Sequence, residues 1–259
     1  MRLRRTIAGA LALCLVVAGV VAFARPGDNH LVGVLDAMTY PSVAPGSTKA
    51  SGADPANPAR GVAAPKGRQA KAKAPVPERP SGHLKAVPVP RKDSTRPGRT
   101  VTYSLEIEQG LGADARAVAR TVQSVLTDRR GWETEDHVRF VHVSPRRQAA
   151  GADVDIRITL ASPALTDRLC APLRTMSKLD CYQRGRAVLN YRNWEHGIPA
   201  YDGDLAGYRA YLINHEVGHG LGYGHARCHT KGTPAQVMIQ QTISLQGCTP
   251  WPWPTRPRS

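Results

Sequence analysis

Aromatic residues, acidic residues and long apolar stretches are all scarce in this chain. Only 14 of its 259 residues are aromatic (Phe 2, Tyr 8, Trp 4), and 12 of those lie beyond residue 98. A globular core built on the first hundred residues is thereby excluded. After residue 24 no apolar run is long enough to cross a bilayer, which excludes a multi-span membrane protein. Acidic residues number 20 against 35 basic ones, a formal net charge of +15. The excess sits upstream: residues 1–24 carry +3, residues 25–98 carry 12 basic against 5 acidic groups, and residues 99–259 carry 20 against 15. With so mild a charge on the C-terminal part and no reader motif, nucleic acid is not an expected partner. No internal repeat is visible.

What is present begins with an address. Residues 1–5 are basic, residues 7–24 form an uncharged apolar run of 18, and Ala22-Phe23-Ala24 is a small-x-small cleavage pattern. Residues 1–24 therefore read as a signal peptide or an N-terminal signal anchor, and the length of the run fits both. The basic flank keeps the N-terminus in the cytoplasm and places the rest outside. The protein is expected to be extracytoplasmic, either secreted or held at the membrane by this segment. Residues 25–98 hold 12 of the 21 prolines and a single aromatic, Tyr40. Neither a helical nor a strand period survives that proline density, so this stretch is expected to be a disordered Pro/Ala/Lys-rich linker. Its positive charge allows electrostatic contact with the cell wall or a membrane surface.

Residues 99–259 carry the domain. Val101, Tyr103, Leu105 and Ile107 alternate strictly, as in a strand with one buried face. Asp114 caps a helix whose apolar positions Ala115, Val118, Val122, Val125 and Leu126 follow the 3.6-residue period, and Gly131 closes it. Strand candidates follow over 138–143, 154–160 and 187–191, and a last helix begins at Asp202 or Asp204. This order predicts an α+β domain: a mixed sheet with an N-terminal helix and a central helix.

From that central helix onward the chain reads His215-Glu216-Val217-Gly218-His219-Gly220-Leu221-Gly222-Tyr223-Gly224-His225. From the chain's own composition, the five fixed positions of this H-E-x-x-H-x-x-G-x-x-H pattern arise by chance with a probability of roughly 3 in 100,000. The spacing has a physical rationale. His215 and His219 stand one turn apart on one helix face and can share an ion. Glu216 is rotated about 100° from His215, so it can flank the ion without ligating it. Gly222 tolerates a positive φ, which ends the helix and returns His225 as a third ligand. Three protein ligands leave one tetrahedral position open, the mark of a catalytic rather than a structural zinc site. His30, His83, His137, His142, His196 and His229 lack such spacing.

This motif resembles the signature of the metzincin zinc endopeptidases. Met238, in Gln236-Val237-Met238-Ile239-Gln240, resembles the Met-turn that lies beneath the zinc in that clan. Ala152-Asp153-Val154-Asp155-Ile156 and Val188-Leu189-Asn190-Tyr191 resemble the strands of matrix-metalloprotease-like domains. As a whole the chain is similar to exported actinobacterial proteins with a metzincin-like domain of unassigned function. The resemblance implies peptide-bond hydrolysis in a monomer acting on a peptide or protein substrate. Zn2+ on His215, His219 and His225 would activate water, and Glu216 would serve as general base. Two departures stand out: Gln240 occupies the position where some metzincins place a ligating Tyr, and only 21 residues follow Met238. Two other readings compete: a zinc-stabilised cell-surface binding module without turnover, and a hydrolase of cell-wall peptide amides.

Outside Cys14, four cysteines remain, an even number that in an exported domain predicts two disulfides. Of the three connectivities, Cys170 with Cys181 and Cys228 with Cys248 close the shortest loops.

Overall fold

The computed structural model of the chain describes residues 75–90 and 93–257. The proposed export segment (1–24) and the linker up to residue 74 lie outside the described residues.

The linker expectation is corrected at its C-terminal end. Leu84–Ala86 forms strand β1, which pairs antiparallel with β2 (Arg99–Glu108), Lys85 facing Ile107. Prolines flank β1 without interrupting it, as an edge strand of three residues permits. Buried groups fasten the same segment. Val87 is in the core, and the buried Glu133 carboxylate accepts from Ser94 Oγ at 2.9 Å and from Phe140 N–H at 3.1 Å. The domain therefore begins well before residue 99.

Helix α1 (Ala115–Leu126) runs from the expected cap, with Asp114 Oδ1 accepting from the N–H groups of Arg116 and Ala117. The short helix α2 (Trp132–Glu135) leads to β3 (Val138–His142), and α3 (Pro145–Ala149) leads to β4 (Ile156–Ala161). After α4 (Pro163–Cys170) come β5 (Cys181–Gln183), β6 (Arg186–Asn190), α5 (Tyr191–His196), a 3₁₀ turn and α6 (Leu205–Gly220). The six strands form one mixed sheet in the order β1-β2-β4-β6-β5, with β3 also on β2. Strands β2, β3, β4 and β6 run parallel, and the short outer strands β1 and β5 are antiparallel.

Alternation along each strand sorts side chains to two faces. Leu105, Ile158, Leu160 and Leu189 join Val118 and Val122 of α1 and Tyr208, Tyr211 and Leu212 of α6 in the main core. Ala161 and Val188 form a second cluster with Leu165 of α4 and the two half-cystines Cys170 and Cys181. The sheet is thus covered on both faces. The sequence reading missed α4, although Ser162-Pro163 is an N-cap followed by proline at the first helical position, and Ser162 Oγ accepts from Leu165 N–H.

Both expected disulfides are present, Cys170–Cys181 and Cys228–Cys248. The second closes a loop of 20 residues that joins the stretch after His225 to the stretch after Met238. In the chain-entropy model such a loop contributes about 3 kcal/mol. Replacing Cys228 and Cys248 by Ser should therefore lower the melting temperature by about 6–12 °C in thermal unfolding. A change under about 2 °C would show that the loop is held by its packing alone.

Candidate metal centre

The centre is built on α6. Asp204 caps it, Oδ1 accepting from Gly207 N–H at 2.8 Å, while Asp202 sits just upstream in the left-handed region (φ 45°). Ten of the helix's sixteen residues are buried, nine of them consecutive from Ala210 to Gly218, so the helix crosses the interior and delivers His215 there nearly free of solvent. One turn on, His219 is half-buried, and the two rings stand 4.8 Å apart between centroids. Leu221 N–H closes the helix on the carbonyls of Val217 and Gly218. Gly222 then takes φ +101°, a conformation L side chains rarely adopt, and the chain reverses. His225 is brought back to 4.7 Å from His219 and 5.5 Å from His215, centroid to centroid.

Each helical imidazole is oriented by a carbonyl. His215 Nδ1 is 2.8 Å from Val237 O, and His219 Nδ1 is 2.8 Å from Tyr223 O. Hydrogen bonds to carbonyls require the Nδ1–H tautomer and leave each Nε2 lone pair directed at the shared space. Burial pushes the His215 pKa down to about 3 and, more than the neighbouring His219, pushes His225 down to about 4; it lowers His219 as well. All three rings are therefore neutral near pH 7, the form that binds metal.

The donor set fits an ion. One ligand nitrogen from each of the three histidines lies within 4.8 Å of the others, and Nε2 of His219 and His225 are 3.2 Å apart. Two nitrogens bound tetrahedrally at zinc–nitrogen distances would be about 3.3 Å apart. The His219–His225 pair already has that spacing, and the three histidines together could hold a metal ion.

Glu216 is buried beside them, and its Oε2 has no hydrogen-bond partner. Burial first, and the charge of Asp180 second, push its carboxyl well above the usual range. Asp180 is held in place by Asn190 N–H and Asn193 Nδ2, each at 2.7 Å. A cation in the histidine cluster would act in the opposite direction, favouring the carboxylate.

Met238 packs on the helix that carries the first two histidines. It is buried against α6 at Gly218, where a Cβ atom would come 2.5 Å from Met238 Sδ and 2.6 Å from Trp132 Cζ2. Helix propensity favours Gly218→Ala by about 1 kcal/mol. Overpacking against the rigid indole costs about 1–3 kcal/mol. The clash should prevail, and the variant should melt a few degrees below the parent; a rise in melting temperature would mean that Met238 and Trp132 yield freely.

The structure brings together His215, Glu216, His219, His225 and Met238. Cys228 is in a disulfide, away from any ligand role. Sequence reading did not find the two orienting carbonyls, of Val237 and Tyr223, because a backbone acceptor leaves no trace in residue identity. Asp180 was equally hidden, since its place near Glu216 depends on β5 and β6 meeting α6.

Fold and centre together define a class: a mixed α/β domain carrying a three-histidine cluster able to hold a metal ion. Within it, the chain belongs to the family described as "Protein of unknown function (DUF3152)", whose model matches residues 71–250. That match begins upstream of β1, in keeping with the corrected domain boundary. No curated protein and no solved structure matches the chain.

Proposed function

We propose that the chain is an exported zinc metallopeptidase of metzincin type. The observation that carries this reading is the convergence of three neutral imidazoles, with a buried glutamate directly after the first of them whose Oε2 has no hydrogen-bond partner. A closed structural site has no use for such a carboxylate. When bound, zinc supplies Lewis acidity, acidifying water and polarising a carbonyl oxygen.

The protein's own groups supply the rest. His215, His219 and His225 hold the ion, and Val237 and Tyr223 keep two of those rings in the ligating tautomer. Glu216 takes a proton from the attacking water and returns it to the amine released as the peptide C–N bond breaks. Burial strengthens this transfer by excluding competing solvent. On the other side of the centre His225 is exposed, which gives a polypeptide access. The two disulfides support export, because such bonds persist in oxidising compartments.

The full chain loaded with zinc should cut a peptide library, read by mass spectrometry. Chelation should abolish the cuts and added zinc should restore them. Cuts confined to cell-wall peptides would keep the chemistry and narrow the substrate. A folded, zinc-containing chain that cuts neither would overturn the proposal in favour of a binding module.

A further inference from the structure

Tyr223 lies in the turn between the second and third histidines, flanked by Gly222 and Gly224. Spacing alone gives it no task, yet beyond the helix-closing bond from its N–H to Gly218 O it makes three separate contacts. Its carbonyl receives His219 Nδ1, its hydroxyl donates to Asp136 Oδ1 at 2.9 Å, and its ring lies 4.5 Å from that of Trp132 at a 35° tilt. The partners are themselves fixed. Trp132 Nε1 donates to Asn214 O at 2.8 Å, inside α6, and Asp136 lies 3.7 Å from Arg99 at the start of β2. Asp136 is 87 residues from Tyr223 in sequence, so the hydroxyl ties the turn to the sheet edge rather than to its own neighbours.

Apart from that tie, the turn is held by backbone bonds to the end of α6, from Gly222 N–H to His219 O and from Tyr223 N–H to Gly218 O, each at 3.0 Å. Gly222 has open space around its Cα, as does Gly224, and the whole stretch 222–225 is exposed. Downstream, the next backbone anchor is Ala226 N–H to Met238 O at 2.9 Å. The third ligand therefore hangs between two fixed points, Tyr223 on one side and Ala226 on the other.

From this geometry we infer that Tyr223 is a positioning residue for the metal centre: its hydroxyl, latched on Asp136, fixes the glycine-flanked turn that orients His219 and presents His225. The inference rests on the reading of the three histidines as metal ligands. It does not require peptide hydrolysis. The latch acts by reducing the conformational freedom that the turn would otherwise lose when the third ligand engages.

The test is zinc affinity of the full chain by chelator competition, with the visible absorption of the cobalt(II)-substituted chain as a report on ligand geometry. Tyr223→Phe keeps the ring on Trp132 and removes only the hydroxyl. Outer-shell changes typically weaken metal binding about 10–100-fold, and a surface latch belongs at the lower end. Tyr223→Phe and Asp136→Ala should each weaken zinc about tenfold and alter the cobalt spectrum alike. The double variant should be no more than about threefold weaker than either single, because both remove one contact. Asp136→Asn retains an acceptor oxygen and should stay within about threefold of the parent. Melting of the metal-free variants should stay within about 2 °C of the parent, the shift expected for under about 1 kcal/mol.

Tyr223→Phe binding zinc within about twofold of the parent would overturn the inference, as would strictly multiplicative losses in the double variant. A parent chain that binds no zinc would overturn the metal centre and the latch together. Because the readout is affinity, failure to cleave peptides would count against the hydrolase alone.

Discussion

Glu216→Gln should abolish turnover while leaving the metal centre intact. Glu216 is not among the three converging ligands, so zinc affinity should stay within about threefold of the parent by the same chelator competition. Turnover should fall by about 10²–10⁴-fold, the range over which a positioned general base contributes. Gln matches Glu in size, so the pocket left by the change is not enlarged. The group's 4% exposure and unpartnered Oε2 make a structural role a poor explanation of any loss, since that oxygen stabilises nothing in the fold. A variant that kept more than a few per cent of parental turnover would remove Glu216 from the role of base. A variant that lost zinc as well would show that the carboxylate holds the centre together.

The second large effect concerns the segment before β2. A chain beginning at Gly67, upstream of the family match and of the described residues, should melt with the full chain. One beginning at Arg99 should not. The shorter chain loses β1 and Val87, and it strips partners from buried charge. Glu133, its side chain wholly buried, loses Ser94 Oγ and the Arg96 guanidinium 3.7 Å away, keeping only Phe140 N–H. Glu108 loses the N–H of Gly82 at 2.8 Å, and the Arg192 guanidinium loses Glu78. Leaving one buried carboxylate uncompensated costs about 3–5 kcal/mol. A domain whose whole stability is about 5–15 kcal/mol cannot absorb much more than that. The melting temperature should fall by at least about 15 °C, or the cooperative transition should disappear. Coincident melting of the two truncations would show that residues 67–98 contribute nothing to the fold.

The parts of the fold that were legible in the sequence are those decided by local rules. Asp114 capping a periodic apolar helix, the alternation Val101, Tyr103, Leu105, Ile107, and the pair His215 and His219 one turn apart are each set by residues close in the chain. The histidine cluster was legible for the same reason, since the i, i+4 spacing and the glycine that permits the reversal are local features. What escaped was decided by tertiary pairing. Leu84-Lys85-Ala86 has no strand signal of its own among the prolines, and it pairs because Glu106, Ile107 and Glu108 of β2 offer a free edge. Strand β4 begins at Ile156 rather than at Val154, where Asp155 turns its carboxylate onto the N–H and hydroxyl of Thr102. Strand β6 stops at Asn190 because that side chain caps α5, accepting from Arg192 N–H. Likewise the hydroxyl of Tyr223 finds its acceptor on a segment that only the folded sheet brings near.

Every role proposed for this site depends on the three histidines forming one metal centre. Its most direct test is the zinc content and affinity of the purified full chain, by elemental analysis and chelator competition, beside His219→Ala. We expect one zinc per chain in the parent, and a loss of at least about 100-fold in affinity when His219 is removed, since a ligand lost should cost at least as much as the upper range of an outer-shell change. A folded parent chain that binds no zinc tightly, or a His219→Ala chain that binds it as well as the parent, would contradict a three-histidine metal centre.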